Sequence, residues 1–330
     1  LSARDFLRAA SLKRGELDCL IGGPPCQAYS VYNLQRGLHD DRSTLFRQYL
    51  RIVDGLRPRW VVMENVTGIV SVGGGRPVRD ILGGLKELGY RVETAVLKAE
   101  QYGVPQERRR ILFIGNRTGA PIALPKPTHG PGLAPYVTVW DAIGDLPSLV
   151  NGEDRGVVRY ATPPQNEYQR MLRGDLHEVT NHAAPRLQPI NLKRMRHIPP
   201  GGSWRDIPVV LLPAGMKRAR RCDHTKRYGR LHPDGLASTI LTKCDLHWGP
   251  YIHPRQDRIL TVREAARFQS FPDCFEFKGS RTEQYVQVGN AVPPLLGRRI
   301  AEAIKRADVG KSRAAPELPL WRAVEEKAAA

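Results

Sequence analysis

Long apolar segments are missing from this chain of 330 residues. Its longest apolar stretches are short pieces such as 60–63 and 209–212, far below the roughly 20 residues that a membrane-spanning helix requires. Residues 1–18 contain acidic side chains and lack the apolar core of a signal peptide. We therefore expect a protein without membrane association or export.

Cysteine is also scarce, and no CxxC pair occurs among Cys19, Cys26, Cys222, Cys244 and Cys274. An odd, scattered set indicates free thiols in a reducing compartment rather than a disulfide framework. Cys222 with His224 and Cys244 with His247 are potential zinc ligands, but their irregular spacing disfavours a zinc site. We expect no metal and a cytoplasmic location.

Acidic residues are outnumbered, because 33 Asp and Glu stand against 51 Lys and Arg, which gives a net charge of +18. The excess is concentrated between Pro185 and Arg230, where twelve basic and two acidic side chains leave +10. Concentrated positive charge favours a polyanionic partner, most often nucleic acid, over a merely basic soluble protein.

The first third of the chain alternates between strand and helix periodicity. Strands are predicted at 17–21, 59–65, 91–97 and 108–116, and helices at 44–56 and 78–90. This alternation predicts an α/β fold with a doubly wound, largely parallel sheet.

The chain changes character at Arg117, where prolines, histidines and glycines cluster and the periodicity fades. This region is predicted to be a second, irregular domain. Regular helices return after Arg258: Thr261 and Glu264 have capping-box spacing, and Pro294 begins an apolar helical pattern.

Two residues stand where predicted strands end. Cys26 lies five residues beyond Ile21, on the stiff turn GGPPCQ, and Glu64 directly follows the apolar run WVVM. Because the carboxyl ends of parallel strands gather ligands, this thiol is placed as a nucleophile and this carboxyl group as a hydrogen-bonding or acid group. Cys19, within its strand, suits a structural role.

Two further motifs carry polar groups. Gln106, Arg108 and Arg110 alternate, so period two places them on one strand face, where guanidiniums suit a carbonyl oxygen or a phosphate. The segment QVGNAVPP, residues 287–294, is interpreted as a Gly-Asn turn before a helix that begins with proline.

Taken together and in this order, these motifs resemble those of the DNA (cytosine-5) methyltransferase family. GGPPCQAYS resembles its nucleophile motif, ENV its glutamate motif, and QERRR its Gln-x-Arg-x-Arg motif. RILTVREAARFQSFPD and QVGNAVPP resemble its last two motifs, and DDRSTLFRQYLRIVDGLRP the stretch between the first two. The resemblance runs from Asp18 to Ala303.

The resemblance implies a Rossmann-like methyltransferase sheet and methyl transfer from S-adenosylmethionine to C5 of cytosine in double-stranded DNA. Cys26 would add to C6 of a flipped base and Glu64 would hold N3 and the exocyclic amine. Arg108 and Arg110 would contact O2 or the backbone, with Arg110 favoured for O2. The implied cofactor contacts are Pro25, Leu45, Asn290 and Ala291.

Expected DNA contacts combine two motif residues with the basic stretch. They are Gln27, Gln106, Arg194, Arg196, Lys217, Arg218, Arg220, Arg221, Lys226, Arg227 and Arg230.

The order of the motifs divides the chain into four expected parts. They are a partial catalytic domain (1–116), a target-recognition domain (117–254), a return to the catalytic domain (255–310) and a tail (311–330). The family's Phe-x-Gly-x-Gly cofactor motif is found neither before Asp18 nor in the tail. The leading strands are therefore expected to be missing, through truncation, a separate N-terminal methyltransferase subunit, or true loss, in that order.

Two other functions stay open: a catalytically silent DNA-binding module and an RNA cytosine-5 methyltransferase. Retention of the thiol argues against the first, because binding alone requires no nucleophile, and the large basic insert favours duplex DNA over RNA. We expect a prokaryotic, nucleoid-associated enzyme, and leave open its DNA site, its oligomeric state and a paired restriction enzyme.

Overall fold

The structure, a computed structural model, describes residues 2–24, 45–220, 222 and 225–308. Pro25, Cys26, Gln27 and Arg221 lie outside these ranges. The helices described are α1 (Ala3–Ala9), α2 (Leu45–Leu56), α3 (Arg76–Glu87), α4 (Val139–Ile143), α5 (Glu167–Arg173), α6 (Pro189–Met195), α7 (Ala214–Lys217), α8 (Val262–Phe268), α9 (Arg281–Asn290) and α10 (Pro294–Ala307). The strands described are β1 (Cys19–Gly22), β2 (Trp60–Val66), β3 (Arg91–Lys98), β4 (Gln106–Glu107), β5 (Arg109–Asn116), β6 (Val158–Arg159), β7 (Glu178–Val179) and β8 (Ala237–Ser238).

The described residues divide into two compact units. The first contains residues up to 98, 109–126 and 299–308, and the second contains 99–108 and 127–298. These bounds differ from the expected domains, because 255–298 belong to the second unit and α10 returns to the first from Arg299 onward. No helix in the described ranges is both long and apolar enough to cross a membrane.

The first unit contains a four-stranded sheet in the order β1-β2-β5-β3. β1 pairs with β2 in parallel, whereas β5 runs antiparallel to both β2 and β3. Three strands therefore share one direction, which confirms the expected α/β fold with a mostly parallel sheet. β5 runs the other way because 99–108 is too short a connection for a parallel crossover to an adjacent strand.

Helices α2 and α3 pack on one face of this sheet. α2 buries Phe46, Tyr49 and Val53 along one side, because residues three and four positions apart share a helix face. They pack with Val61 and Met63 of β2 in one apolar cluster. The alternate side chains of β2, which point to the opposite face, are also buried, so this strand is covered on both sides, as in a doubly wound sheet.

Tyr49 fixes the spacing of β1 and β2. Its hydroxyl lies 3.2 Å from the carbonyl oxygen of Leu20 and 3.1 Å from that of Val62. A Cβ added at Gly22 would lie 2.5 Å from the Tyr49 ring, so this position at the end of β1 requires glycine. Burial raises the pKa of the Cys19 thiol on the same strand to about 11, which fits its expected structural role.

The second unit is built around α8, whose charged side chains are buried. Arg267 is fully buried and pairs with Asp145 and, at 2.6 Å, with Asp273. Burial alone would raise the pKa of Asp273, but the charges of Arg267 and Arg263 outweigh it and hold the pKa below its usual value. This network explains why 255–298 belong to the second unit, since its partners Asp145 and Asp273 both lie there.

A second buried pair lies beside His253. Arg258 and Glu264 form two hydrogen bonds of 2.9 and 2.6 Å, and the ring of His253 lies 3.6 Å from the Glu264 carboxylate. Burial lowers the pKa of His253 from 6.5 to about 3; Glu264 opposes this shift and Arg258 adds to it. The imidazole is therefore neutral in the folded protein at neutral pH.

This burial predicts that acid destabilises the second unit. Unfolded His253 protonates near pH 6.5, so its contribution is complete above that pH and is lost as pH falls toward 3. We expect the free energy of unfolding to fall by about 2 kcal/mol between pH 7 and pH 5 from this residue. Denaturant unfolding of His253→Gln should show a flatter pH profile, whereas His197→Gln, at an exposed position, should keep the wild-type profile. Equal profiles in all three proteins would contradict the assignment.

Candidate functional site

Glu64 and Arg110 form the central pair of the candidate site. Glu64 lies opposite Leu112, and Val66 opposite Arg110, in the antiparallel β2–β5 ladder, so the pair sits diagonally on one face. Arg110 Nε lies 2.5 Å from Glu64 Oε1. The side chains are 12% and 16% exposed, so this charge-assisted contact is partly shielded and can fix the direction of the carboxylate.

The loop that leads toward Cys26 begins beside this carboxylate. A Cβ added at Gly23 would lie 3.2 Å from Glu64 Oε2, closer than most real contacts, so glycine lets the backbone approach. Gly23, which directly follows β1, therefore lies beside the second carboxylate oxygen of Glu64. The structure describes Gly23 and Pro24, and Pro25, Cys26 and Gln27 follow outside the described residues.

Gln106 and Arg108, expected in the same strand as Arg110, have different surroundings. The expected strand is interrupted at Arg108: β4 pairs with β8, whereas β5 belongs to the four-stranded sheet. Alternate burial survives the break, because Gln106 and Arg108 are buried whereas Glu107 and Arg109 are exposed. The period-two pattern thus identified the inward side chains but not the interruption.

Arg108 holds two segments of the second unit. Its Nη1 donates to the Ile240 carbonyl at 3.2 Å, and its Nη2 donates to the carbonyls of Gly289 and Ala291 at 3.0 and 2.9 Å. The side chain is 2% exposed. This arrangement favours a positioning role over the expected contact with the base.

Gln106 is bound in the same way. Its Nε2 donates to the Phe268 carbonyl at 2.9 Å, and its Oε1 accepts the Ile240 amide at 2.9 Å. The side chain is fully buried. This arrangement favours a structural role for Gln106 over the expected DNA contact, because Gln106, like Arg108, holds the Ile240 backbone.

The expected Gly-Asn turn at 289–290 is wrong, because both residues end α9. Sequence reasoning missed this helix although Ser280 and Glu283 carry the capping-box signal at its start. Gly289 is required by close packing, since an added Cβ would lie 2.5 Å from the Leu241 backbone. Of the expected cofactor contacts, Asn290 is exposed and Ala291 half-buried in the second unit, and Leu45 is half-buried in the first.

The expected DNA contacts differ in how far they are exposed. Arg194 donates to the Leu211 carbonyl at 2.7 Å, and Arg230 is 7% exposed with five acceptors that include Asp257. Both guanidiniums hold the fold. The exposed or half-exposed remainder comprises Arg196, Lys217, Arg218, Arg220, Lys226 and Arg227.

Comparisons with known proteins show the family of this chain. The family model of C-5 cytosine-specific DNA methylases matches residues 4–306. The chain is 36% identical to Type II methyltransferase M.AgeI of Thalassovita gelatinovora, over 89% of this chain and 84% of the relative. It is also 36% identical to Type II methyltransferase M1.HphI of Haemophilus parahaemolyticus, over 94% and 74%.

A solved structure shares the fold. It is described as a DNA modification methyltransferase encoded within a prophage, from E. coli, and aligns with a TM-score of 0.72 at 23% identity. The alignment covers 93% of this chain and 83% of the other. The likeness therefore extends over most of this chain rather than over one motif.

Proposed function

We propose a substrate and a mechanism for this chain, which belongs to the C-5 cytosine-specific DNA methylase family. The reaction is transfer of a methyl group to C5 of a cytosine in double-stranded DNA. The observation that carries the proposal is the Glu64–Arg110 pair beside Gly23, because it places an oriented carboxylate where the loop to Cys26 begins.

Cys26 is the proposed nucleophile. Cys26 follows Gly23 by three residues in the sequence, and Gly23 lies beside Glu64. Its thiolate adds to C6 of cytosine, which makes C5 electron-rich enough to accept a methyl group. Loss of the C5 proton and elimination of the thiolate then restore the ring. The base has to leave the stack, because its face is covered in a duplex.

Glu64 is proposed to bind the cytosine edge at N3 and the exocyclic amine. Arg110 holds one carboxylate oxygen through Nε, and its Nη1 donates to the Arg109 carbonyl at 2.8 Å. Its Nη2 is proposed to donate to the base O2. Arg108 acts as a positioning residue through the Ala291 carbonyl.

S-adenosylmethionine is the proposed methyl donor, and when bound it supplies an electrophilic methyl group on sulfur. The absence of a side chain at Gly23 fits a ligand at the carboxyl end of β1, since a Cβ there would crowd Glu64. Pro25, Leu45, Asn290 and Ala291 are the proposed contacts. The separate N-terminal subunit stays a prediction.

The similarity to two bacterial Type II methyltransferases also suggests a biological role. We propose that this enzyme is prokaryotic and protects DNA within a restriction–modification system. Duplex DNA is its proposed partner, bound by the exposed basic side chains of the second unit.

The decisive test of Glu64 is its replacement by glutamine. Glu64→Gln removes the charge that pairs with Arg110 and the acid that can donate a proton to N3, although its amide oxygen can still accept from the cytosine amine. We therefore expect methyl transfer to fall about 10²- to 10³-fold. Radiolabelled methyl transfer to duplex DNA by the full-length protein measures this loss, and thermal unfolding checks the fold. The exposed Glu87→Gln is the matched control. Transfer within twofold of wild type in Glu64→Gln would overturn the role.

A further inference from the structure

A surface segment of the second unit, residues 209–218, presents both apolar and basic side chains to solvent. Leu212 and Met216, 9% and 6% exposed, anchor it in an apolar cluster with Trp204 and Tyr228. The Arg194 guanidinium fixes its backbone through the Leu211 carbonyl at 2.7 Å. The segment is therefore mounted firmly, although it consists only of a short 3₁₀ turn and the four-residue α7.

The outward side of this segment is apolar where the surrounding surface is basic. Val209 and Val210 are 69% and 81% exposed, and Lys217 and Arg218 follow them, both exposed. Phosphate contacts need charge and hydrogen-bond donors, so they give no reason for exposed valines. Apolar side chains do suit base edges in the major groove, where thymine presents a methyl group.

The same segment forms one wall of a pocket of about 360 Å³. Pro213 and Met216 contribute apolar lining, and Arg218, Arg227 and His247 contribute polar groups. The pocket is therefore lined by two guanidinium groups as well as by apolar side chains.

The two arginines differ from the occupied ones described above. Neither the Arg218 nor the Arg227 side chain has a hydrogen bond or ion pair with the residues that the structure describes. His247, in contrast, is held by Asp245, whose carboxylate lies 2.8 Å from Nδ1, and by the Tyr228 hydroxyl at 3.3 Å from Nε2. The pocket therefore combines a histidine held on both ring nitrogens with two guanidiniums that have no partner among the described residues.

We propose that this pocket reads a guanine of the recognised DNA sequence, with Arg218 and Arg227 as specificity-determining residues. Guanine presents two acceptors, O6 and N7, in the major groove, and the guanidinium fork matches them. Adenine and cytosine each present an amine donor there, which a guanidinium cannot accept. The inference rests on the proposed function, since it assigns part of the DNA surface of that enzyme.

The test is a duplex library with randomised positions around an unmodified target cytosine. The full-length wild type, Arg218→Ala and Arg227→Ala methylate the library, and sequencing gives the preference at each position. We expect each variant to lose about 10-fold or more of the discrimination for guanine at one position and to keep it elsewhere. Lys193→Ala, exposed on α6 and outside the pocket, should keep the wild-type pattern.

A binding selection on the same library separates this inference from the proposed reaction. If the wild type binds a preferred sequence but transfers no methyl group, the reaction fails while the base preference can still be compared. An equal loss of binding at every position in the arginine variants would indicate phosphate contacts and overturn the guanine assignment. Unchanged preferences in both variants, with wild-type thermal unfolding, would overturn it as well.

Discussion

Replacing Cys26 with serine is expected to reduce methyl transfer by about 10⁴-fold or more, while the affinity for duplex DNA stays unchanged. Addition to C6 requires a strong nucleophile, and a serine hydroxyl remains protonated at neutral pH whereas a thiol ionises far more readily. The Glu64–Arg110 pair and Gly23 stay in place, so the variant still has the groups that bind the base. The substitution should therefore slow the chemical step and leave DNA binding unchanged.

A covalent protein–DNA complex tests directly whether Cys26 is the residue that attacks the base. With S-adenosylmethionine present, a duplex with fluorine at C5 of the target cytosine has no C5 proton to lose after methyl transfer. The thiolate adduct should therefore persist on denaturing gels. Wild type and Cys222→Ser, which changes an exposed cysteine, should both form this complex, whereas Cys26→Ser should form none. A persistent complex in Cys26→Ser would show that another residue attacks the base.

Arg267→Met is expected to lower the free energy of unfolding by about 3–5 kcal/mol, because it leaves Asp145 and Asp273 buried without their main partner. The guanidinium also donates to the Ala142 carbonyl at 2.8 Å, so one change removes contacts to two segments of the second unit, 142–145 and the one that contains Asp273. The nearest remaining cations are Arg173, 3.6 Å from Asp145, and Arg263, 3.7 Å from Asp273. Neither can take the bridging position between the two carboxylates.

Denaturant unfolding at neutral pH measures this loss. Arg170→Met is the matched control, because Arg170 is half exposed and pairs with Glu167 at the surface, where such pairs contribute about 0–1 kcal/mol. If Arg267→Met does not fold, Arg267→Lys keeps the charge without the fork and should show an intermediate loss. A loss below about 1 kcal/mol in Arg267→Met would contradict the account of the network.

Local signals in the sequence were sufficient to predict several helices. Helix α2 follows from apolar residues at helical spacing, α8 begins at the Thr261–Glu264 capping box, and α10 begins at Pro294. The pairing of Glu64 with Arg110 was not predictable, because it depends on the register of two antiparallel strands far apart in the chain. Expecting both at one site was nevertheless possible, because the resemblance to the methyltransferase motifs implies it.

Most contacts that could not be predicted join residues that lie far apart in the sequence. Arg263 and Arg267 in TVREAARFQSF resemble a solvated helix face until Asp145, far upstream, and Asp273 are brought against them. Arg108 was expected to face the substrate, yet its acceptors are backbone carbonyls some 130 to 180 residues away. A backbone carbonyl carries no sequence signature, so no motif reveals that an arginine will be bound by one.

The burial of so many arginines changes what the net charge means for association with DNA. Among the described residues, Arg108, Arg173, Arg230, Arg258, Arg263 and Arg267 are buried. Counterions are released from DNA only by cations that reach its phosphates, and these six cannot. The ionic-strength dependence of binding will therefore be shallower than a charge of +18 suggests, and it will count the exposed lysines and arginines alone.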